Sequence, residues 1–449
     1  MKRDHAVSRN GATIGRGRRR IPIVALALCA VFLSSGLGVP DAGAIPAFAR
    51  KYGLACTGCH EAWPTLNDFG RAFRDRGYQM GLGEDAPTKV APAYWPISIR
   101  ITPHYEYDSA NHQTTDQGVK TLGSGGFSEV GLDLLSAGTL ARNVSFLVVP
   151  TGFTTSEGVT LEAAWIRFEN LHNSGWLNFK LGKHELDLPR SEHRSWSLTD
   201  TGYLIYGYHP PGSISEYDLA ENERGIEYTG HDRGSFNRVA LSIFNVQNSP
   251  GSRNAFDTPG IYAHASHKWL WEGRVVSSAR LGFFGTYSTW PTTSLTSGGE
   301  PIDGAGGDLK RATKVGVEGH VWMGPEATPL HATIVAARGE DSPGLIPGAV
   351  RDATFSGGFL ELGYTPTLWL TAFGRYDLIR NQTQGIPGNP KSLNDEDAVT
   401  LGVRRTIHFS SRAEFAVHAE YSDERIRGGA DDGSDLRLRT AFAGFDFGY

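Results

Sequence analysis

The stretch Thr313–Met323, TKVGVEGHVWM, alternates between apolar and non-apolar side chains over most of its length. Val315 and Val317 fall on one side of this alternation, and Lys314 and Glu318 fall on the other. Successive side chains of a β-strand point to opposite faces, so the stretch predicts a strand with one apolar and one charged face. Charges are costly in a dry core but not in a water-filled barrel lumen, which favours a barrel strand.

The same period of two recurs along the chain after Trp95, for example at Trp176–His184 and Ala413–Tyr421. It predicts sixteen strands, at approximately residues 96–107, 126–137, 142–151, 158–170, 174–184, 222–230, 235–247, 258–270, 273–288, 311–323, 328–338, 352–364, 366–379, 396–407, 411–422 and 436–449. Connections after the even-numbered strands are short, whereas most connections after the odd-numbered strands are long and polar. Outer-membrane barrels show this difference between their two rims. We therefore predict an all-β fold, a transmembrane outer-membrane β-barrel of about 16 antiparallel strands, over residues 96–449.

The composition and the end of the chain agree with a barrel. The 56 glycines and three methionines suit an all-β chain better than a helical one. After residue 44 no apolar stretch is long enough for a transmembrane helix. The terminal sequence Phe445–Tyr449, FDFGY, resembles the assembly signal of outer-membrane barrels, although an ordinary aromatic edge strand would look the same.

The first 44 residues read as a signal peptide. Arginines at Arg18–Arg20 precede the apolar run Ile21–Leu33, and Ala42–Ala44, AGA, offers a small-residue cleavage site. The mature chain would begin near Ile45, exported to the outer membrane of a Gram-negative bacterium. The formal net charge is −5, and loss of this basic segment makes it more negative, which argues against nucleic acid as a partner.

The pentapeptide Cys56–His60, CTGCH, has the spacing of a c-type haem attachment site. Cys56 and Cys59 would form thioethers to one covalently attached haem c, and His60 would be an axial ligand of its iron. A redox dithiol or half a zinc site is the alternative. The adjacent histidine and the lack of a second cysteine pair argue against both.

Residues 45–81 form the predicted monohaem cytochrome c segment, which we call the motif segment. Apolar positions recur at helical spacing from Ala62 to about Gly77, so we expect a helix there. A segment this short rarely buries enough surface to fold alone, so it needs a host. Residues 82–95, with Pro87 and Pro92, read as a linker to the barrel.

Together these features resemble the fused monohaem cytochrome-porin family of outer-membrane iron oxidases. The resemblance in motif covers residues 45–78, through Ile45–Arg50, Cys56–His60, Phe69–Arg71 and Gly77–Tyr78, and the rest is a resemblance in architecture. It implies a haem in or at the periplasmic mouth of a 16-stranded barrel. It also implies electron entry from extracellular Fe(II) and exit to periplasmic cytochromes or other electron carriers.

The second axial ligand has two candidates. Met80 is the only methionine of the motif segment, and a thioether ligand would raise the haem potential into a range suited to accepting electrons from iron. Met80 could equally be a gap-filling apolar residue. His104 is the alternative ligand, because the alternation of the first strand places it on the lumen side.

Two further sets of residues are candidates for a chemical role. The connection Glu185–Glu221 is rich in histidine, carboxylate and aromatic residues, and by analogy with porin constriction loops it would fold inward. It would then place weak Fe(II) ligands near the haem, or it is simply a surface loop. Arg50, Arg71, Arg74 and Arg76 would pair with haem propionates or form a solvated docking face.

The sequence thus predicts an outer-membrane c-type cytochrome-porin that transfers single electrons across the membrane, with Fe(II) oxidation as its activity if it is an enzyme. Two alternatives stay open: a solute porin with a structural or gating haem, and outward electron transfer to an extracellular acceptor. Neither the direction of electron flow nor the partner follows from the residues.

Overall fold

A computed structural model describes residues 48, 52, 54, 56–62, 65–80, 96–127, 131–151, 159–199, 201–213, 215, 218–246, 259–271, 274–291, 296–297, 300–301, 309–324, 330–346, 349–367, 369–382, 394–409, 414–430 and 432–448. The predicted signal peptide, residues 1–44, and the predicted linker, residues 82–95, lie outside the described residues.

The described part of the motif segment includes the short elements α1 (Cys56–Cys59), β1 (His60–Ala62), β2 (Thr65–Leu66) and α2 (Asp68–Asp75). The helix expected from Ala62 begins only at Asp68, because Asn67 caps it: the Asn67 side chain accepts a hydrogen bond from the Gly70 amide at 2.8 Å. β1 and β2 form a small antiparallel pair upstream of this cap. Apolar spacing alone does not reveal such a late helix start.

The barrel is built from eighteen strand segments. They are β3 (Ile97–Thr102), β4 (His104–Thr115), β5 (Gly118–Phe127), β6 (Gly131–Ala141), β7 (Val144–Thr151), β8 (Thr160–Phe168), β9 (Asn178–His184), β10 (Glu223–His231), β11 (Asn237–Asn245), β12 (Pro259–Leu270), β13 (Val276–Pro291), β16 (Leu309–Met323), β17 (Leu330–Asp341), β18 (Ala353–Thr367), β19 (Leu370–Asn381), β20 (Glu396–Phe409), β21 (Glu414–Ile426) and β22 (Leu436–Gly448). A small hairpin, β14 (Thr296–Ser297) and β15 (Glu300–Pro301), lies between β13 and β16.

These segments form sixteen spanning strands. β22 pairs with both β3 and β4, so those two are one strand interrupted at Pro103, which has no amide hydrogen to donate. On the other side β3 pairs with β6 and β4 pairs with β5, so β5 and β6 also run as one strand. Neighbouring strands are antiparallel, and the last strand closes on the first, with Phe447 opposite Ile101. The predicted closed barrel of sixteen antiparallel strands is confirmed.

The two faces of the wall have inverted polarity relative to a water-soluble protein. On β16, Val315 is 60 % exposed, whereas Glu318 on the other face is 2 % exposed. Ile226 and Glu227 on β10 repeat this arrangement. An apolar outer belt around a polar interior is the surface that a bilayer covers. Within the described residues no helix is long and apolar enough to span a membrane.

The first hairpin differs from the prediction. The expected strands 96–107 and 126–137 left a long loop between them, but β4 continues to Thr115 and β5 begins at Gly118. The extra residues are mostly polar or glycine and well exposed, as in Gly123 opposite Ser109. An alternation of apolar residues appears only where one face is covered, so this part of the hairpin has no periodic signal.

The connection between β9 and β10 folds into the lumen, as its analogy with a constriction loop predicted. We call residues 185–222 the inner loop. It carries one short helix, α3 (Leu204–Gly207), and packs an apolar core against the inner wall. Its large, fully buried side chains include Leu186, Trp196, Tyr203, Ile205, Tyr206 and Leu219.

Candidate functional site

The CTGCH pentapeptide occupies one helical turn and the start of β1. Cys56 and Cys59 are the two ends of α1, and His60 follows directly. The Cys59 carbonyl accepts a hydrogen bond from the Asn67 amide at 3.0 Å, which joins the turn to the cap of α2. A Cβ at Gly70 would overlap that same carbonyl, so glycine permits the close packing. Burial raises the pKa of the Cys59 thiol to about 11.

Aromatic rings from the described part of the motif segment cluster around Phe73, which is 3 % exposed. Phe48 stacks on Tyr78 with ring centroids 4.5 Å apart, and its edge meets Phe73 at 5.4 Å. Tyr52 and Phe69 complete the cluster, at 5.6 and 6.2 Å from Phe73. These rings give the short segment an apolar core of its own.

The last residue of α2, Asp75, anchors the motif segment inside the barrel. Its carboxylate lies 3.2 Å from the Arg238 guanidinium of β11. Its carbonyl accepts a hydrogen bond from Arg167 of β8 at 2.8 Å and faces a ring nitrogen of His231 on β10 at 2.9 Å. Burial alone would raise the pKa of Asp75, but Arg238 and Arg74 outweigh it and hold that pKa well below its ordinary value. Asp75 is therefore a buried carboxylate.

Asp187 connects the inner loop to the same anchor. Its carboxylate accepts a hydrogen bond from Arg238 at 2.6 Å and lies 3.0 Å from the His264 ring. Burial opposes its ionisation, but Arg238 and His264 hold the pKa of Asp187 well below its usual range. His264 in turn faces Glu318 at 3.1 Å, and Glu318 faces His320 at 3.0 Å. A continuous polar chain thus runs from the anchor into the wall.

Other contacts place the motif segment at the rim of the barrel where the connections between strands are short. Asp68 pairs with Lys268 near the end of β12, and the Arg71 guanidinium lies 5.0 Å from the ring centre of Trp322 near the end of β16. Gly77, with φ +71°, sits so close to Glu169 that a Cβ there would overlap its carboxylate. Burial raises the pKa of Glu169 to about 7.

The two candidates for a second axial ligand lie in different places. Met80 is at the end of the described motif segment, 36 % exposed, with its carbonyl accepting a hydrogen bond from Arg76. His104 is on β4, where its ring stacks on Phe442 at 4.2 Å and faces the Thr102 carbonyl at 2.9 Å. Both Met80 and His104 therefore stay predictions for the second axial ligand.

The potential iron ligands of the inner loop already have partners. Glu185 pairs with Arg194 and accepts from Ser191, and His193 lies 3.3 Å from Glu162. Glu216 lies outside the described residues. In the part of the chain that the structure describes, no three histidine, cysteine or acidic side chains come together as a metal site.

A cavity of about 90 Å³ lies between the motif segment, the inner loop and the barrel wall. Thr65 and Leu66 line one side, Leu188 and Pro189 line another, and His331 and Trp322 belong to the wall. Its lining is rich in guanidinium groups, which come from Arg71, Arg74, Arg190, Arg194, Arg238 and Arg280. Sequence reasoning singled out Arg71 and Arg74 but missed the other four, which are scattered over 90 residues without a local motif.

No model of a known protein family matches the chain, and no curated protein matches it. Among solved structures the chain is similar to an anion-selective porin from Comamonas acidovorans, at 11 % identity over 79 % of this chain and 99 % of that one, with a TM-score of 0.48. It is also similar to the outer membrane channel DcaP of Acinetobacter baumannii, at 11 % identity over 81 % and 100 %, TM-score 0.47. A third similar structure is OprB of Pseudomonas putida, at 12 % identity over 78 % and 94 %, TM-score 0.46.

Proposed function

We propose that this protein is an outer-membrane c-type cytochrome-porin that moves single electrons across the membrane. One observation carries the proposal: the CTGCH turn is held, through Asp75 and Arg238, at the short-turn rim of a closed barrel. Short turns mark the periplasmic rim of outer-membrane barrels. The apolar outer belt supports the membrane location, and the position of the turn supports electron exit on the periplasmic side.

The residues of the motif segment fit a covalent haem c. Cys56 and Cys59 would bind it through thioethers at the ends of one helical turn, and His60 would ligate its iron. The haem supplies one-electron redox chemistry when bound. Phe48, Phe73 and the other clustered rings provide apolar surface, and restricted water access tunes haem potential.

Extracellular Fe(II) is the proposed electron donor, and periplasmic cytochromes or similar carriers are the proposed acceptors. This step rests on the resemblance to the cytochrome-porin family. Each Fe(II) would give up one electron, and a haem held by Cys56, Cys59 and His60 would supply the one-electron chemistry for its transfer to a soluble carrier. No resident second metal centre is part of the proposal.

Two measurements on the purified detergent-solubilised protein test this function. Denaturing electrophoresis with haem staining should give a band near the mature mass, which Cys59→Ala should weaken or abolish. Stopped-flow mixing with Fe(II), at a pH where the reaction is favourable, should show haem reduction. Absence of reduction in correctly assembled protein would reject iron oxidation and leave the barrel and the haem untouched.

Solute transport with a structural or gating haem is the competing function. The inner loop packs a buried apolar core against the inner wall, which disfavours a wide aqueous channel. Single-channel recording distinguishes the two functions. A pore that conducts freely and ignores the redox state of the haem would favour transport.

A further inference from the structure

The guanidinium group of Arg280 stands apart from the other arginines that line the cavity. Five of the six have a carboxylate within ion-pair distance. Their partners are Asp68 for Arg71, Asp75 for Arg74, Glu361 for Arg190, Glu185 for Arg194 and Asp187 for Arg238. Among the residues that the structure describes, no carboxylate lies this close to Arg280.

Arg280 is nonetheless buried, at 8 % exposure. It makes only two long hydrogen bonds, to Ser266 at 3.5 Å and to the Ser235 carbonyl at 3.3 Å, and its Nε has no partner among the described atoms. The cations Arg238 and Arg71 are near enough to repel it, while Glu318 and Asp75 attract it from beyond contact distance. A buried charge without a direct counter-ion is costly, so this position favours an anionic occupant.

The cavity itself has room for such an occupant. A volume of about 90 Å³ holds several water molecules or one carboxylate or phosphate group. Guanidinium groups bind these oxyanions through two parallel hydrogen bonds. A bare dication would be repelled here, so the cavity is not a site for free Fe(II).

We propose that the cavity between the motif segment and the inner loop is an oxyanion-binding site, with Arg280 as its uncompensated cation. The oxyanion has two possible sources. One is a propionate of the haem, because Leu66 lines the cavity and the neighbouring Asn67 binds the Cys59 carbonyl. This source rests on the proposed function. The other is a diffusible carboxylate or phosphate that enters through the lumen.

The test compares Arg280→Gln and Arg280→Lys with the control Arg311→Gln, in purified full-length protein. Arg311 lies on β16, the strand that pairs with β13 of Arg280, but it is exposed and pairs with Glu340, away from the cavity. Calorimetric titration with inorganic phosphate measures diffusible anions, and potentiometric titration measures the haem midpoint potential. Heat-dependent gel mobility confirms that each variant is a folded barrel, and Arg280→Lys keeps the charge if Arg280→Gln does not fold.

Saturable phosphate binding that is lost only in Arg280→Gln would establish the site for a diffusible anion. Absence of phosphate binding, with a lower midpoint potential in Arg280→Gln alone, would establish a propionate, because removing its compensating cation favours the ferric state. If neither quantity changes between wild type and Arg280→Gln, the proposal is overturned. If the chain carries no haem, the proposed function fails, and the calorimetric result alone decides this site.

Discussion

The Arg238 guanidinium lies 3.2 Å from the Asp75 carboxylate and thereby joins the wall of the barrel to the helix beside the CTGCH turn. Both side chains are buried, and Arg238 also holds Asp187 of the inner loop at 2.6 Å. Three separate parts of the chain thus meet at one cation. Loss of either partner leaves a buried charge without full compensation.

We expect Asp75→Asn to destabilise the folded protein by about 3 kcal/mol, the usual cost of breaking a buried ion pair. Denaturant unfolding in detergent, followed by tryptophan fluorescence, measures the change. The double variant Asp75→Asn, Arg238→Gln should cost less than the sum of the two single changes. The exposed pair Arg437–Asp423 is the control, and Arg437→Gln should cost about 1 kcal/mol or less. If the free-energy costs of the two single substitutions simply add in the double variant, Asp75 and Arg238 do not act as a pair.

The substitution Gly70→Ala should reduce the yield of covalently attached haem. Its Cβ would overlap the Cys59 carbonyl, so α2 must move away from the motif turn, at a cost of about 1 to 3 kcal/mol. Haem staining normalised to protein measures the yield. Gly58→Ala is the matched control, since its Cβ would meet only Leu54 at 3.9 Å. Equal yields in the two variants would show that the close packing is unnecessary.

Glu169 should make stability depend on pH near neutrality. Burial raises the pKa of its carboxyl in the folded protein to about 7, above the ordinary value of 4.5. Its contribution is therefore fully present below pH 4.5 and is lost as the pH rises through 7. Melting temperatures between pH 5 and 9 should fall less steeply in Glu169→Gln than in wild type. If the melting temperatures of the two proteins change with pH in parallel, Glu169 is already ionised in the folded protein.

Glu420 should control how far the inner loop closes the lumen. Its carboxylate accepts hydrogen bonds from Ser197, from the Leu198 amide at 2.9 Å and from Thr199 at 2.6 Å. Removing it leaves the buried Thr199 donor unpaired, at about 1 to 3 kcal/mol, removes the two part-buried bonds and frees this part of the loop. Planar-bilayer recordings should show larger or more frequent conductance steps for Glu420→Ala. Glu340→Ala, which removes an outer carboxylate, should behave as wild type.

Met80→Ala should lower the haem midpoint potential and abolish any sulfur-to-iron charge-transfer absorption, because a thioether ligand raises the potential. Optical spectroscopy and potentiometry measure both effects. Met323→Ala is the matched control, since Met323 ends β16 and is the other methionine of the predicted mature chain. An unchanged spectrum in Met80→Ala would leave His104, or no residue, as the second ligand.

The strands could be predicted from sequence because the membrane covers one face and the lumen wets the other. Val315 faces outward and Glu318 faces the lumen, so their strand shows the alternation clearly. Both observed ends of this strand lie within two residues of the predicted ends. Beyond the apolar belt, residues such as Ser109 and Gly123 show no apolar alternation, so the strands of the first hairpin were predicted too short. The predicted start of α2 was wrong because the Asn67 cap begins the helix after the apolar positions upstream.

The anchor could not be predicted by any local pattern. Asp75, Asp187 and Arg238 come from a helix, a loop and a strand, and only the closed barrel brings them together. Each is an ordinary charged residue in its own neighbourhood of the sequence. The same holds for Arg280, whose missing carboxylate is a property of the assembled cavity. Alternation indicates that such residues face the lumen, but it does not indicate which of them meet.

The seam where Phe447 meets Ile101 has a consequence for biogenesis. The contacts of α2 described above come from β8, β10, β11, β12 and β16, none of which borders this seam. The contacts that hold α2 therefore do not involve the strands that close the barrel. Cys59 is partly buried in the docked segment, so we expect the proposed haem attachment to precede docking.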